Sequence, residues 1–124
     1  MNNLVWVAFG GAGGAVLRYS ISIFMLQLFG TSFPFGTLTV NVLGSFLMGV
    51  VSALTQLSHI SPEIKALLGV GFLGALTTFS TFSNETLMLI QGGEWFKAFL
   101  NMALNLGICL LMVYLGQQLI LSRV

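Results

Sequence analysis

Between residues 19 and 62 the chain carries no acidic or basic side chain apart from His59, and between residues 98 and 122 it carries none at all. Gaps of that length fit hydrocarbon, because a helix needs about 20 predominantly apolar residues to cross a bilayer core. Four such helices would use roughly 80 positions, which leaves only short turns in a chain of 124 residues. The fold class that follows is an all-α membrane protein, a single four-helix transmembrane domain over residues 1–124. Composition agrees: 56% of residues are hydrophobic and 6% charged, against about 25% charged in ordinary globular chains.

Turn residues punctuate the apolar runs and give four spans, at about residues 4–29, 36–57, 64–91 and 95–120. Gly30, Thr31, Ser32 and Pro34 end the first. Ser58, His59, Ser61, Pro62 and Glu63 form a polar connection with Pro at a helix-start position. Gly92, Gly93 and Glu94 close the third span, and Trp95, Lys97 and Arg123 read as interfacial anchors of the fourth. Nothing basic precedes the apolar run that opens at Leu4, so the first span is expected to stay attached rather than to be cleaved as a signal peptide.

These features exclude several classes of function. A net charge of +1 offers no basic patch to nucleic acid. One Cys and one His, Cys109 and His59, neither staple a disulfide scaffold nor assemble a four-ligand zinc site. No Ser-His-Asp set or phosphate loop is present, so the chain does not read as an enzyme. Most of the 15 Gly lie inside the spans. Gly10 with Gly14, and Ser45 with Gly49, make small-xxx-small pairs suited to close helix contact.

Lys and Arg are shared almost evenly between the two sets of flanks, with Lys65 and Arg123 on one side, Lys97 on the other and Arg18 ambiguous. The positive-inside rule therefore gives no firm orientation. If both orientations insert and meet, the product is an antiparallel, dual-topology homodimer whose two-fold axis lies in the membrane plane.

Span three contains Gly74, Ala75, Leu76, Thr77, Thr78, Phe79, Ser80, Thr81, Phe82, Ser83, Asn84 and Glu85, with five hydroxyls between residues 77 and 83. Back-bonding of hydroxyls to carbonyls four residues earlier accounts for one or two of them. The rest, with Gly71 and Gly74, predict a helix broken at mid-membrane, which is tolerated only where the backbone is buried in protein or lines a wet cavity. Freed carbonyls at such a break coordinate small cations in transporters. Two from each chain of a dimer would make a four-oxygen cage.

Several side chains admit two readings. Phe79 and Phe82, at i and i+3, are either core packing or rings whose positive rims line a path for a small anion. Asn41 is either an interhelical hydrogen bond or a donor to that anion. In span four Asn101, Asn105 and Cys109 follow i, i+4, i+8 as one polar stripe, which with Thr37 offers neutral donors to replace a hydration shell. Arg18, deep in span one, either snorkels or lines an electropositive vestibule, since a charge near the bilayer centre costs about 2.5–3.5 kcal/mol on insertion scales. Glu85 marks the interfacial end of span three or bonds within the protein.

The runs Gly10-Gly11, Gly14, Arg18-Tyr19, then Gly36-Thr37-Leu38 with Val40, Asn41 and Gly44, then Gly71, Gly74 and Thr77 to Ser83 with Glu85 resemble the bacterial fluoride channels called Fluc or CrcB. The resemblance covers nearly the whole chain. It implies an antiparallel dimer in the bacterial inner membrane, two fluoride pores each built by both chains, and a structural sodium ion on the dimer axis. It assigns Asn41 as the pore amide, Phe79 and Phe82 as the rings that meet fluoride, and Thr37, Ser80, Thr81 and Asn105 as polar pore residues. The backbone carbonyls of Gly74 and Thr77 are the implied sodium ligands, with Arg18 at the vestibule and Glu85 a structural polar group. Span four departs from the pattern, because Asn101, Asn105 and Cys109 stand where the family often has Ser or Tyr. The competing readings are a small multidrug-resistance-type proton-coupled exporter, which needs an acid in its first span where residues 1–62 have none, and a purely structural membrane subunit.

Overall fold

The computed structural model describes residues 2–123, and they are helical throughout apart from short connections. Helix α1 runs Asn2–Phe29 and α2 Phe35–Gln56; span three comprises α3 (Pro62–Ile64), a π-helical segment Lys65–Leu73, α4 (Gly74–Leu76) and α5 (Ser80–Gln91). Span four comprises α6 (Trp95–Ala103), a π-helical segment Leu104–Ile108, and α7 (Cys109–Leu121). Four stretches, Asn3–Phe29, Phe35–Gln56, Pro62–Gln91 and Trp95–Leu121, are long and apolar enough to cross a membrane.

The connections follow from their residues. Gly30 and Gly93 adopt positive φ, which lets the chain reverse directly after α1 and α5. Ser61 caps α3, its hydroxyl accepting from the Ile64 N–H at 3.2 Å with Pro62 at the first helical position. Lys97 pairs with Glu94 at 3.1 Å across the first turn of α6. At the far end of span four the Arg123 Nε donates to the Leu119 carbonyl.

Two helix pairs make the bundle: α1 packs along Lys65–Leu73 and α4, and α2 along α7. Glycine permits both approaches. A Cβ at Gly10 would strike the Leu67 carbonyl oxygen, and one at Gly14 the Phe72 carbonyl oxygen. Across the other pair, Gly49 meets the Val113 carbonyl and Gly116 the Phe46 carbonyl. Between the pairs sits a small apolar core of Val40, Val51, Leu73 and Leu76, with Leu17, Leu47 and Phe72 against it. Each π-helical segment abuts the polar centre of the molecule, one running up to α4 and the other containing Asn105.

Candidate functional site

Three residues, 77–79, separate α4 from α5, and Thr77 takes extended dihedrals (φ −85°, ψ 156°). In an uninterrupted α-helix the N–H of Thr78 would bond the Gly74 carbonyl, and that of Thr81 the Thr77 carbonyl. Here the Thr78 N–H donates instead to Asn41 Oδ1 at 2.9 Å, and the Thr81 N–H to Thr78 Oγ1 at 3.2 Å. Both carbonyls thereby lose their helical donors. The Ala75 carbonyl between them is taken by Arg18 Nε at 2.9 Å, so the arginine of span one braces the segment ahead of the interruption.

The hydroxyl run divides by role. Thr77 and Ser83 bond back to the carbonyls of Leu73 and Phe79, four residues earlier, whereas the Thr78 hydroxyl accepts from the Thr81 N–H in the first turn of α5. Gly44 makes room for this geometry, since a Cβ there would collide with Thr77 Cγ2.

Asn41 clasps the interruption from α2. Its oxygen accepts the Thr78 N–H, while its Nδ2 donates to the Thr78 carbonyl at 3.2 Å and to Asn105 Oδ1 at 2.8 Å. From Asn105 the chain continues: Nδ2 donates to Asn101 Oδ1 at 3.0 Å, Asn101 Nδ2 to Thr86 Oγ1 at 2.9 Å, and Thr86 Oγ1 to the Phe82 carbonyl at 2.8 Å. Asn101 is fully buried and Asn105 nearly so. The polar stripe of span four thus turns toward span three rather than toward lipid.

Asn41, Asn105, Phe79 and Phe82 line one cavity of about 260 Å³ at the interruption, with Ser45, Thr77, Thr78 and Cys109, and none of its lining residues carries a charge. The two rings lie 5.4 Å apart, tilted by 59°. Their surroundings differ: Phe82 is buried, whereas Phe79 is 71% exposed on the protomer surface. Thr37 and Glu85 line a separate cavity of about 490 Å³ with Tyr19, Ser22 and Glu94. Glu85 Oε1 is buried there without a hydrogen-bond partner. Ser80 and Thr81 line neither cavity; Ser80 lies exposed beside Thr78, the hydroxyls 3.5 Å apart.

Of the residues expected from sequence, the structure gathers Asn41, Phe79, Phe82, Asn105 and Thr77, and sets Thr37 with Glu85 at the second cavity. Sequence reasoning did not single out Thr78 and Thr86. Thr78 differs from its neighbours only in where its backbone points. Thr86 carries one readable signal, its position four residues after Phe82.

Residues 5–117 match the family described as CrcB-like protein, Camphor Resistance (CrcB). A protein of Shewanella sp. (strain ANA-3) named fluoride-specific ion channel FluC is 74% identical over 124 residues, the whole of both chains. Proteins of the same name from Shewanella baltica (strain OS185) and Shewanella oneidensis are 73% and 74% identical, again over the full length of each.

Proposed function

The chain belongs to the CrcB-like family, and from that premise we propose that it is a fluoride-selective ion channel, not an enzyme, that passively exports fluoride from the cytoplasm across the inner membrane. The observation that carries this reading is the uncharged cavity at the interruption of span three, lined by Asn41, Asn105 and two phenylalanines. Amide donors and ring rims attract a small anion without a full opposite charge, and conduction requires sites weak enough to release the ion. The same cavity disfavours a proton-coupled exporter, since no carboxylate lines it.

Hydrogen fluoride is a neutral weak acid that crosses membranes and ionises in a less acidic cytoplasm, where fluoride is trapped. An inside-negative potential expels an anion with about 2.3 kcal/mol per 100 mV. A passive pore therefore suffices.

In this reading span three is broken at mid-membrane. The protein acts as an antiparallel homodimer. Support comes from the protomer surface: Ser80, Ser83 and Asn84 are exposed within an apolar span beside Phe79, and polar groups in hydrocarbon call for a protein or water neighbour. A sodium ion at the dimer axis fits the carbonyls of Gly74 and Thr77, whose helical donors are diverted. Neutral oxygens suit a hard cation, and such an ion would supply the positive charge that joins the two chains there. Thr37, Ser80 and Thr81 extend the polar path in the assembly, Arg18 serves the vestibule, and Glu85 is a structural polar group.

Purified protein in liposomes tests the function. A fluoride electrode should register efflux that chloride does not reproduce, and proton-coupled exchange of an organic cation would favour the exporter instead.

A further inference from the structure

We propose that Thr86 and Asn101 are positioning residues that place the Asn105 oxygen against Asn41 Nδ2, and through it set the donor that Asn41 offers to fluoride; the proposal rests on the channel reading above. Neither residue lines the 260 Å³ cavity, and both are buried, Thr86 at 7% exposure and Asn101 at 0%. They act through their neighbours.

An amide's oxygen and nitrogen ends have nearly the same size, so packing alone does not choose between a side chain's two flipped states. Hydrogen bonds choose. The Phe82 carbonyl can only accept, so the Thr86 hydroxyl donates to it at 2.8 Å and presents a lone pair to Asn101. That lone pair selects the Nδ2 end of Asn101, at 2.9 Å. Asn101 Oδ1 is left to accept from Asn105 Nδ2 at 3.0 Å, a nitrogen that the Asn101 backbone carbonyl also holds at 2.9 Å, and Asn105 Oδ1 to accept from Asn41 Nδ2. The other end of the chain demands the same order, because the Thr78 N–H can only donate and must meet Asn41 Oδ1.

Three consecutive amides thus run in one direction, with the Thr86 hydroxyl selecting that of Asn101, the Asn101 backbone carbonyl agreeing at Asn105 and the Thr78 backbone at Asn41. This order leaves Asn41 with two Nδ2 hydrogens. One is held by Asn105 at 2.8 Å, and the other lies on the Thr78 carbonyl at 3.2 Å. The longer bond is the one an anion in the cavity would displace. If the Thr86 hydroxyl is lost, Asn101 has no acceptor to select its nitrogen. A flipped Asn101 then faces Asn105 with a donor against a donor, which displaces Asn105 and loosens its oxygen's hold on Asn41 Nδ2.

The test combines fluoride efflux from liposomes, measured against fluoride concentration, with the side-chain amide ¹⁵N resonance of Asn41 in the full-length protein. Thr86→Val, nearly isosteric but without the hydroxyl, should weaken the concentration dependence about tenfold, the effect of roughly one hydrogen bond. It should also shift or broaden the Asn41 resonance. Thr86→Ser, which restores donor and acceptor, should return both readouts to the parent values. The paired variant Thr86→Val with Asn101→Leu removes both partners and leaves no orphaned amide between them, so it preserves the fold if the single variant does not; it should show the same weakening. An unchanged Asn41 resonance in Thr86→Val, unchanged efflux, or equal loss in the Val and Ser variants would each overturn the proposal. Absence of fluoride efflux from the parent protein would overturn the channel reading instead, while the resonance would still report whether Thr86 orders Asn41.

Discussion

Asn41 carries more of the site than any other side chain, with contacts to the Thr78 N–H, the Thr78 carbonyl and Asn105. Asn41→Asp would replace the donor end of the side chain by a second acceptor, leaving a carboxylate oxygen against the Thr78 carbonyl and Asn105 Oδ1. The new oxygen lacks a donor, and the negative charge repels an anion. Fluoride efflux from liposomes is expected to fall below detection, while size-exclusion elution of the assembly is unchanged. Phe82→Ile tests the ring. An aliphatic side chain keeps the cavity apolar, at a cost of about 1–3 kcal/mol in stability, but has no electropositive rim. It should also abolish efflux, and normal flux in both variants would remove the pore assignment.

Helix packing in lipid lacks a hydrophobic drive between helices, so close van der Waals contact has to supply the association. The α2/α7 crossing depends on Gly49 and Gly116, each of which faces a backbone carbonyl of the opposite helix. A backbone atom cannot swing aside as a side chain can. Gly49→Val is accordingly expected to destabilise the bundle by about 1–3 kcal/mol, read as a lower midpoint of thermal unfolding in detergent; an unchanged midpoint would show that the crossing is not this close. The α1 approach to span three rests on the same chemistry at Gly10 and Gly14. It also carries Arg18 to the Ala75 carbonyl, which ties the helix pairing to the shape of the interruption.

The chain as a whole carries a nearly even distribution of Lys and Arg between its two sets of flanks. With an antiparallel pair, a cysteine introduced as Arg123→Cys should react with an impermeant maleimide from both sides of the membrane in roughly equal amounts, and labelling from one side alone would exclude the arrangement. The proposed structural ion is tested at the same scale. Exchange of sodium for a bulkier monovalent cation during purification should lower fluoride efflux if the Gly74 and Thr77 carbonyls hold a structural ion shared between chains. Efflux indifferent to the cation would remove sodium from the proposal.

Charge-free stretches and Gly, Pro and Ser punctuation determined that four apolar helices form and closely where they turn, because an unpaired charge in hydrocarbon and a Pro within a helix are costly whatever the rest of the chain does. The hydroxyl run of span three marked the unusual segment for the same local reason, its residues competing with the backbone for hydrogen bonds. Tertiary structure alone decided which carbonyls lose their donors and which amides face one another. The bonds that settle those choices join Arg18 to Ala75 across 57 positions, Asn41 to Thr78 across 37 and Asn41 to Asn105 across 64. A hydrogen bond is selected by distance and angle in space, so a lone Thr such as Thr86 acquires its part only when Asn101 is packed against it.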